Sequence, residues 1–226
     1  MFFKENPAIA IVLNDEDVLS LTKKDLSGAN LVELRVDMFK REKNIEEVFS
    51  LAKEKFNLPL LCTVRLPEEG GKKRIPKRLN LYESVIPFCD FFDIEIMSKE
   101  GKELKNLLRN KKINLIGSYH CFSHTPSTEE LEIIYEKGKA LGMDIIKLAT
   151  MVNDEKDLEV LLLFTLKHKK DNVIVIGMGE KGIPSRIVNP LFGSLITYAS
   201  IREISAPGQI HLKEMVQIFK IMGIRK

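Results

Sequence analysis

A lysine sits inside an apolar run, Ile145-Ile146-Lys147-Leu148-Ala149. If that run is a central strand, its ammonium cannot stay solvated, so it pairs or gives up its proton. An amine held neutral near pH 7 is a nucleophile suited to a Schiff base with a ketone. A proton carrier is also present. His120 ends the run Leu115–His120, two residues after Ser118, and imidazole passes protons in both directions near neutrality. Other polar pairs stand two apart in apolar surroundings: Glu33 with Arg35, Thr63 with Arg65, Asp93 with Glu95. Alternate strand residues share a face, so each pair points one way. Taken singly, Glu33–Arg35 and Asp93–Glu95 read equally well as structural groups in buried ion pairing, and a lone strand-end histidine reads more often as a satisfied polar group than as a catalyst. Lys147 is the residue whose placement asks for chemistry.

Something must bring these side chains together. Short β-branched runs alternate along the chain with longer amphipathic ones. The strands expected are Ala8–Leu13, Leu31–Val36, Leu60–Arg65, Phe91–Ile96, Leu115–His120, Ile145–Leu148, Val173–Ile176 and Ile196–Ala199. The helices expected are Asn14–Lys24, Asn44–Lys55, Leu79–Phe88, Ser98–Asn110, Ser127–Leu141, Asn153–Lys169, Ser185–Gly193 and His211–Met222. Ser127 and Glu130 have capping-box spacing. Strict βα alternation implies parallel strands with right-handed crossovers. Eight such units predict a parallel eight-stranded (β/α)8 TIM barrel, one catalytic domain over residues 1–226. The polar residues fall in the C-terminal halves of their strands, where barrel sites are built. The rival is a doubly wound open sheet. It usually has a glycine-rich turn after its first strand, and here that turn reads Asn14-Asp15-Glu16-Asp17.

The composition narrows the class. The 226 residues carry 35 basic and 32 acidic side chains, a net charge of +3, and are 44% hydrophobic. That is too little charge to argue for nucleic acid, and too much apolar content for a disordered chain. Cys62, Cys89 and Cys121 show no CxxC spacing, which points to a reducing compartment and away from structural zinc. No apolar run approaches the ~20 residues of a membrane helix, and the start carries no signal-peptide pattern. A soluble cytoplasmic protein is expected. The run Glu68–Arg78 holds Gly70-Gly71 and five cations: Lys72, Lys73, Arg74, Lys77 and Arg78. It reads first as a solvated loop and helix start, and second as a glycine-hinged lid over an anionic substrate.

These residues resemble the type I 3-dehydroquinate dehydratase family. The likeness is carried by Glu33-Leu34-Arg35, Thr63-Val64-Arg65 before Glu69-Gly70-Gly71, Ser118-Tyr119-His120, and Lys147 placed 27 residues after His120. It continues through Gly177-Met178-Gly179 to Ser185-Arg186, Phe192-Gly193-Ser194 and Ala206-Pro207-Gly208-Gln209-Ile210. It runs from about residue 8 to 222. The resemblance implies a (β/α)8 barrel, usually a homodimer, that converts 3-dehydroquinate to 3-dehydroshikimate in aromatic amino-acid biosynthesis, with no metal or organic cofactor. It implies that Lys147 forms the imine, His120 moves the protons and Glu69 sets the histidine tautomer. Arg186 would clamp the substrate carboxylate, with Ser205 and Gln209 closing over that end. Glu33, Arg35 and Arg65 would meet ring hydroxyls and balance charge, and Met178 and Tyr198 would wall the ring. Three positions depart from the family pattern: Cys121 follows His120 where many members have aspartate, Val12 stands where many have serine, and Ile176 stands where a second methionine is frequent. Cys121 is expected to point away from His120. The nearest alternative is another Schiff-base lyase, an aldolase, with Gly177-Met178-Gly179 and Gly182 cradling phosphate. A barrel that only binds would have lacked the lysine or the histidine.

Overall fold

A computed structural model describes residues 7–40, 45–202 and 206–225. The expected eight strands are present as β1 (Ala8–Leu13), β2 (Leu31–Arg35), β3 (Leu60–Thr63), β4 (Phe91–Glu95), β5 (Asn114–Cys121), β6 (Ile145–Met151), β7 (Val173–Met178) and β8 (Ile196–Ser200). Between and after them run α1 (Asp15–Ser20), α2 (Ile45–Phe56), α3 (Arg78–Val85), α4 (Gly101–Leu107), α5 (Thr128–Ala140), α6 (Glu155–Lys167), α7 (Ile183–Leu191) and α8 (Leu212–Ile221). The expected start of α2 at Asn44 lies outside the described residues. Ser127 caps α5 as its spacing predicts: its hydroxyl accepts the Glu130 N–H at 3.3 Å, and the Glu130 carboxylate accepts the Ser127 N–H at 2.9 Å.

All strand pairs are parallel, in the order β7-β6-β5-β4-β3-β2-β1-β8, followed by a short ninth strand, β9 (Ile210–His211). Outward side chains such as Ile9, Ile11, Val32, Leu34 and Leu148 pack against the helices in one large core. Inward ones, including Ala10, Leu31, Leu61, Phe91, Ile116 and Ile174, fill a second core inside the curl. This is the period-2 alternation of a sheet buried on both faces.

The closed eight-stranded TIM barrel expected from the sequence is not what forms. The sheet has nine strands and curls through about 265° without closing. At the seam, β7 and β8 are joined only by a single bridge, Val173 to Ser194, just ahead of β8. The physical cause lies in the side chains there. The Val175 N–H donates to Ser194 Oγ at 3.0 Å, the Val175 carbonyl accepts from Asn189 Nδ2 at 3.2 Å, and the Gly177 N–H donates to Ser185 Oγ at 2.7 Å. Backbone groups that would have built a β7–β8 ladder are already satisfied. On its other side β8 takes β9 as partner, through Ala199–Ile210 and Ser200–His211.

Strand ends also differ from the expected bounds, and those ends position the site. β5, β6 and β7 run past their expected ends, because the ladder between them continues, with Cys121 opposite Thr150 and Met151 opposite Met178. β2 and β3 stop early. Val36–Met38 forms a 3-10 turn, and the buried Asp37 carboxylate accepts the N–H groups of Arg65 (3.2 Å) and Lys72 (2.9 Å).

Candidate active site

Every sequence-predicted site residue among the described ones lines a single cavity of about 440 Å³ at the C-terminal ends of the strands. Ser205 lies outside the described residues; its neighbours Ala206 and Pro207 line the same cavity.

Lys147 is 5% exposed. Of the two outcomes open to a buried lysine, the structure shows pairing: Nζ lies 3.2 Å from Asp93 Oδ2 and 4.5 Å from the centroid of the Tyr198 ring. Asp93 is the partner that sequence spacing left undecided. Its other oxygen accepts from Arg65 (2.7 Å) and from Ser118 Oγ (2.6 Å). Burial opposes a charge on this carboxyl, yet Arg65 and then Lys147 hold it well below the usual carboxylate range. The signal that joins these groups is register, which no single run of sequence carries: Thr63 stands opposite Asp93, Glu95 opposite Ser118, and Ser118 opposite Lys147.

His120 lies two residues beyond Ser118 on the same face of β5, diagonal to Lys147 across one strand gap. Glu69, at the end of a 3-10 turn over Pro67–Glu69, reaches it from the loop after β3. A single carboxyl oxygen, Oε2, accepts the His120 backbone N–H at 2.9 Å and lies 2.9 Å from Nδ1. With Nδ1–H donating to that oxygen, Nε2 keeps its lone pair, and it has no protein partner among the described residues. Burial, then the nearby cations Arg65 and Lys147, hold the imidazole well below its ordinary value. Burial pushes Glu69 up to about 8, against the pull of Arg65. The pair is therefore uncharged on both sides near neutral pH, which is the state a proton acceptor needs. The Phe122 ring stacks at 17° to His120, with centroids 6.4 Å apart. Cys121, its neighbour in sequence, faces Ser123 and His124.

Glu33 and Arg35 share a face but form no ion pair with each other. Arg35 is bidentate to Asp37, with both contacts at 2.8 Å, and Glu33 lines the cavity 2% exposed. Arg65 is committed to Asp93, Glu95 and Ser118, so it braces the lysine's carboxylate. Arg186, on α7, is the opposite case. Its guanidinium is buried with no carboxylate beside it among the described residues; one nitrogen donates to the Pro207 carbonyl at 2.9 Å and Nε has no partner. Burial alone pushes it down to about 10. A desolvated, unpaired guanidinium is a seat for an anion. Met178, Tyr198 and Val12 give the cavity its apolar wall. The basic run after β3 is not the uniformly solvated loop its composition suggests. Arg78 is 2% exposed, donating to Glu95 at 2.8 Å, to the Val64 carbonyl at 2.7 Å and to Glu100.

A sequence profile of type I 3-dehydroquinases matches residues 8–226. The chain belongs to the type I 3-dehydroquinase family. It is 63% identical over 225 residues to the 3-dehydroquinate dehydratase of Thermodesulfovibrio yellowstonii, covering 100% of both chains. It is 38% identical to that of Methanocaldococcus jannaschii, over 93% of this chain and 95% of the other. Among solved structures, the Aquifex aeolicus dehydratase superposes with a TM-score of 0.84 at 34% identity, covering 95% of this chain and 98% of that one. The Clostridium difficile type I enzyme, solved with covalently modified comenic acid, gives 0.86 at 30% identity, with 97% and 93% covered. Among the described residues, no helix is long and apolar enough to cross a membrane.

Proposed function

We infer that this chain is a hydro-lyase that removes water from 3-dehydroquinate to give 3-dehydroshikimate, in the shikimate pathway of aromatic amino-acid biosynthesis, with Lys147 as the imine-forming residue. The observation that carries the residue assignment is the buried Lys147 Nζ, 3.2 Å from Asp93 Oδ2, with His120 one strand away and its Nδ1 2.9 Å from Glu69 Oε2.

The substrate carboxylate seats on Arg186, and the ring lies against Met178 and Tyr198 with its hydroxyls toward Glu33 and Arg35. Gln209 flanks the carboxylate end. Lys147 Nζ hands one ammonium proton to His120 Nε2 and adds to the ketone through the lone pair this frees. His120 relays the protons of carbinolamine collapse, and one water leaves as the iminium forms. Asp93 sits where the iminium charge develops, so it stabilises that cation without having to take its proton. The positive nitrogen acidifies the adjacent C–H. His120 Nε2 takes that proton, leaving an enamine, and returns it to the ring hydroxyl, which departs as water. A second water hydrolyses the conjugated iminium and frees Lys147. One water is released at imine formation and one consumed at hydrolysis, so the net loss is the substrate's own.

An aldolase reading would want a phosphate cradle near Gly179. The Gly179 N–H is already bonded to the Pro207 carbonyl at 3.2 Å, which favours the dehydratase. Borohydride added with 3-dehydroquinate is expected to fix a stable adduct, and peptide mapping to find it on Lys147. An adduct elsewhere, or none, removes the imine assignment.

All three cysteines are free thiols, which supports a reducing, cytoplasmic setting. The packed pair α6 and α7 leaves Leu163 (53%), Leu191 (43%) and Phe192 (42%) exposed, which supports a homodimer closed over that face. Sedimentation velocity is expected to show twice the chain mass of 25.8 kDa; a single species at the chain mass rejects the dimer.

A further inference from the structure

The cavity is lined by five cationic side chains besides His120: Arg35, Arg65, Lys72, Lys147 and Arg186. Three are neutralised at close range: Arg35 by Asp37, Arg65 by Asp93 and Glu95, and Lys147 by Asp93. Two have no carboxylate among the described residues. One is the buried Arg186. The other is Lys72, which is exposed at the rim.

Lys72 belongs to the five-cation run Lys72, Lys73, Arg74, Lys77 and Arg78, and three of its four companions there are otherwise engaged. The Lys73 amine donates to the Phe39 carbonyl at 2.8 Å, Arg74 pairs with Glu68, and Arg78 is buried against Glu95 and Glu100. Of the five, only Lys72 lines the cavity. Its backbone is fixed where its amine is not. The Lys72 N–H donates to Asp37 at 2.9 Å, and the preceding Gly71 N–H donates to the Leu66 carbonyl at 2.9 Å. Gly71 packs so tightly that a Cβ there would lie 2.1 Å from the Arg65 carbonyl oxygen. Asp37 therefore does two things at once: it cancels the charge of Arg35 and holds Lys72 in place with its own charge uncancelled.

Lys72 follows β3 and Arg186 follows β7, on opposite sides of the curled sheet. The carboxylate seat is at the Arg186 side, so Lys72 is placed to act on the anion's approach and not as its final ligand. We propose that Lys72 is a steering cation: a fixed positive charge at the mouth that raises the local concentration of the anionic substrate before Arg186 takes its carboxylate. This rests on the dehydratase reading. A field of this kind acts through kcat/KM and fades as salt shortens its range.

The test is kcat/KM for 3-dehydroquinate, followed by enone absorbance, across ionic strengths of roughly 0.01 to 1 M, where the screening length falls from about 30 Å to 3 Å. Three proteins are compared: the unaltered chain, Lys72→Glu, and Lys111→Glu. The last makes the same charge change on a turn remote from the cavity. For Lys72→Glu we expect kcat/KM to fall roughly three- to fivefold at the lowest salt, kcat to move less than twofold, and the gap to close by 1 M. Lys111→Glu should track the unaltered chain. A gap that persists at 1 M would make Lys72 a contact residue and overturn steering. So would equal losses in both variants, or no loss in either. The unaltered chain serves as its own control: no turnover there sinks the dehydratase reading and this proposal together, whereas turnover with a flat Lys72→Glu response sinks this proposal alone.

Discussion

Lys147→Met should abolish dehydration, with a fall in kcat on the order of 10⁴–10⁶, the scale set by removing a covalent nucleophile from a preorganised site. Methionine keeps the length and apolar stem of lysine but offers no amine to the ketone. Without an iminium, the C–H next to the carbonyl keeps its ordinary weak acidity, and His120 has no proton it can take. The fold should survive, because Asp93 keeps two of its three partners, Arg65 and Ser118. Far-ultraviolet circular dichroism and thermal unfolding would show that. Lys147→Arg separates charge from nucleophilicity. It can restore a cation beside Asp93, yet a guanidinium protonated at all working pH values cannot form the imine. Both variants should be equally inactive and neither should take up borohydride label. Turnover within about a hundredfold of the unaltered chain in either would mean that catalysis runs through another group.

What could be read from the amino-acid order, and what could not, follows from the range of the interactions involved. The β1–β8 and α1–α8 series was legible because each element carries its own local pattern, and Ser127 with Glu130 marks a helix start within four residues. The failure to close was not legible. It depends on Ser194, Asn189 and Ser185 reaching across to the β7 backbone, and nothing in those residue types announces that they will replace a neighbouring strand. For the site, Lys147 declared itself by being charged in an apolar run. Its partner Asp93 did not, since an acidic pair in a strand reads the same whether it meets a lysine or a structural arginine. Arg65 and Arg35 were expected at the substrate, and they do line the cavity. Their carboxylate partners, however, were invisible until β2, β3 and β4 were set in register. Arg78 shows the same limit from the other side. Five cations in eleven residues look like a solvated loop, and only the fold reveals that the last of them is buried between Glu95 and Glu100.

His120→Ala should lower kcat by about 10²–10⁴, the usual contribution of a positioned acid–base group. The loss should be largest in the proton-abstraction step, because the imine can form slowly by exchange with water while abstraction depends on the lone pair of His120 Nε2. Borohydride trapping should therefore survive in the variant, now capturing substrate-derived imine that accumulates ahead of the blocked step. The pH dependence gives a second reading. Burial and the cations Arg65 and Lys147 hold the imidazole well below its ordinary value of 6.5. Protonation, which destroys the base, then sets in only at pH well under 6.5, so kcat/KM of the unaltered chain should stay flat as pH falls through 6.5 and decline below it. Above that, Glu69 loses its proton near 8, placing a full negative charge beside Nδ1 and raising the basicity of His120 on the alkaline side. His120→Ala should erase the acid limb along with the rate. An acid limb centred at 6.5 in the unaltered chain would mean that the imidazole is solvated during turnover. A limb that outlives His120 would assign it to a different group.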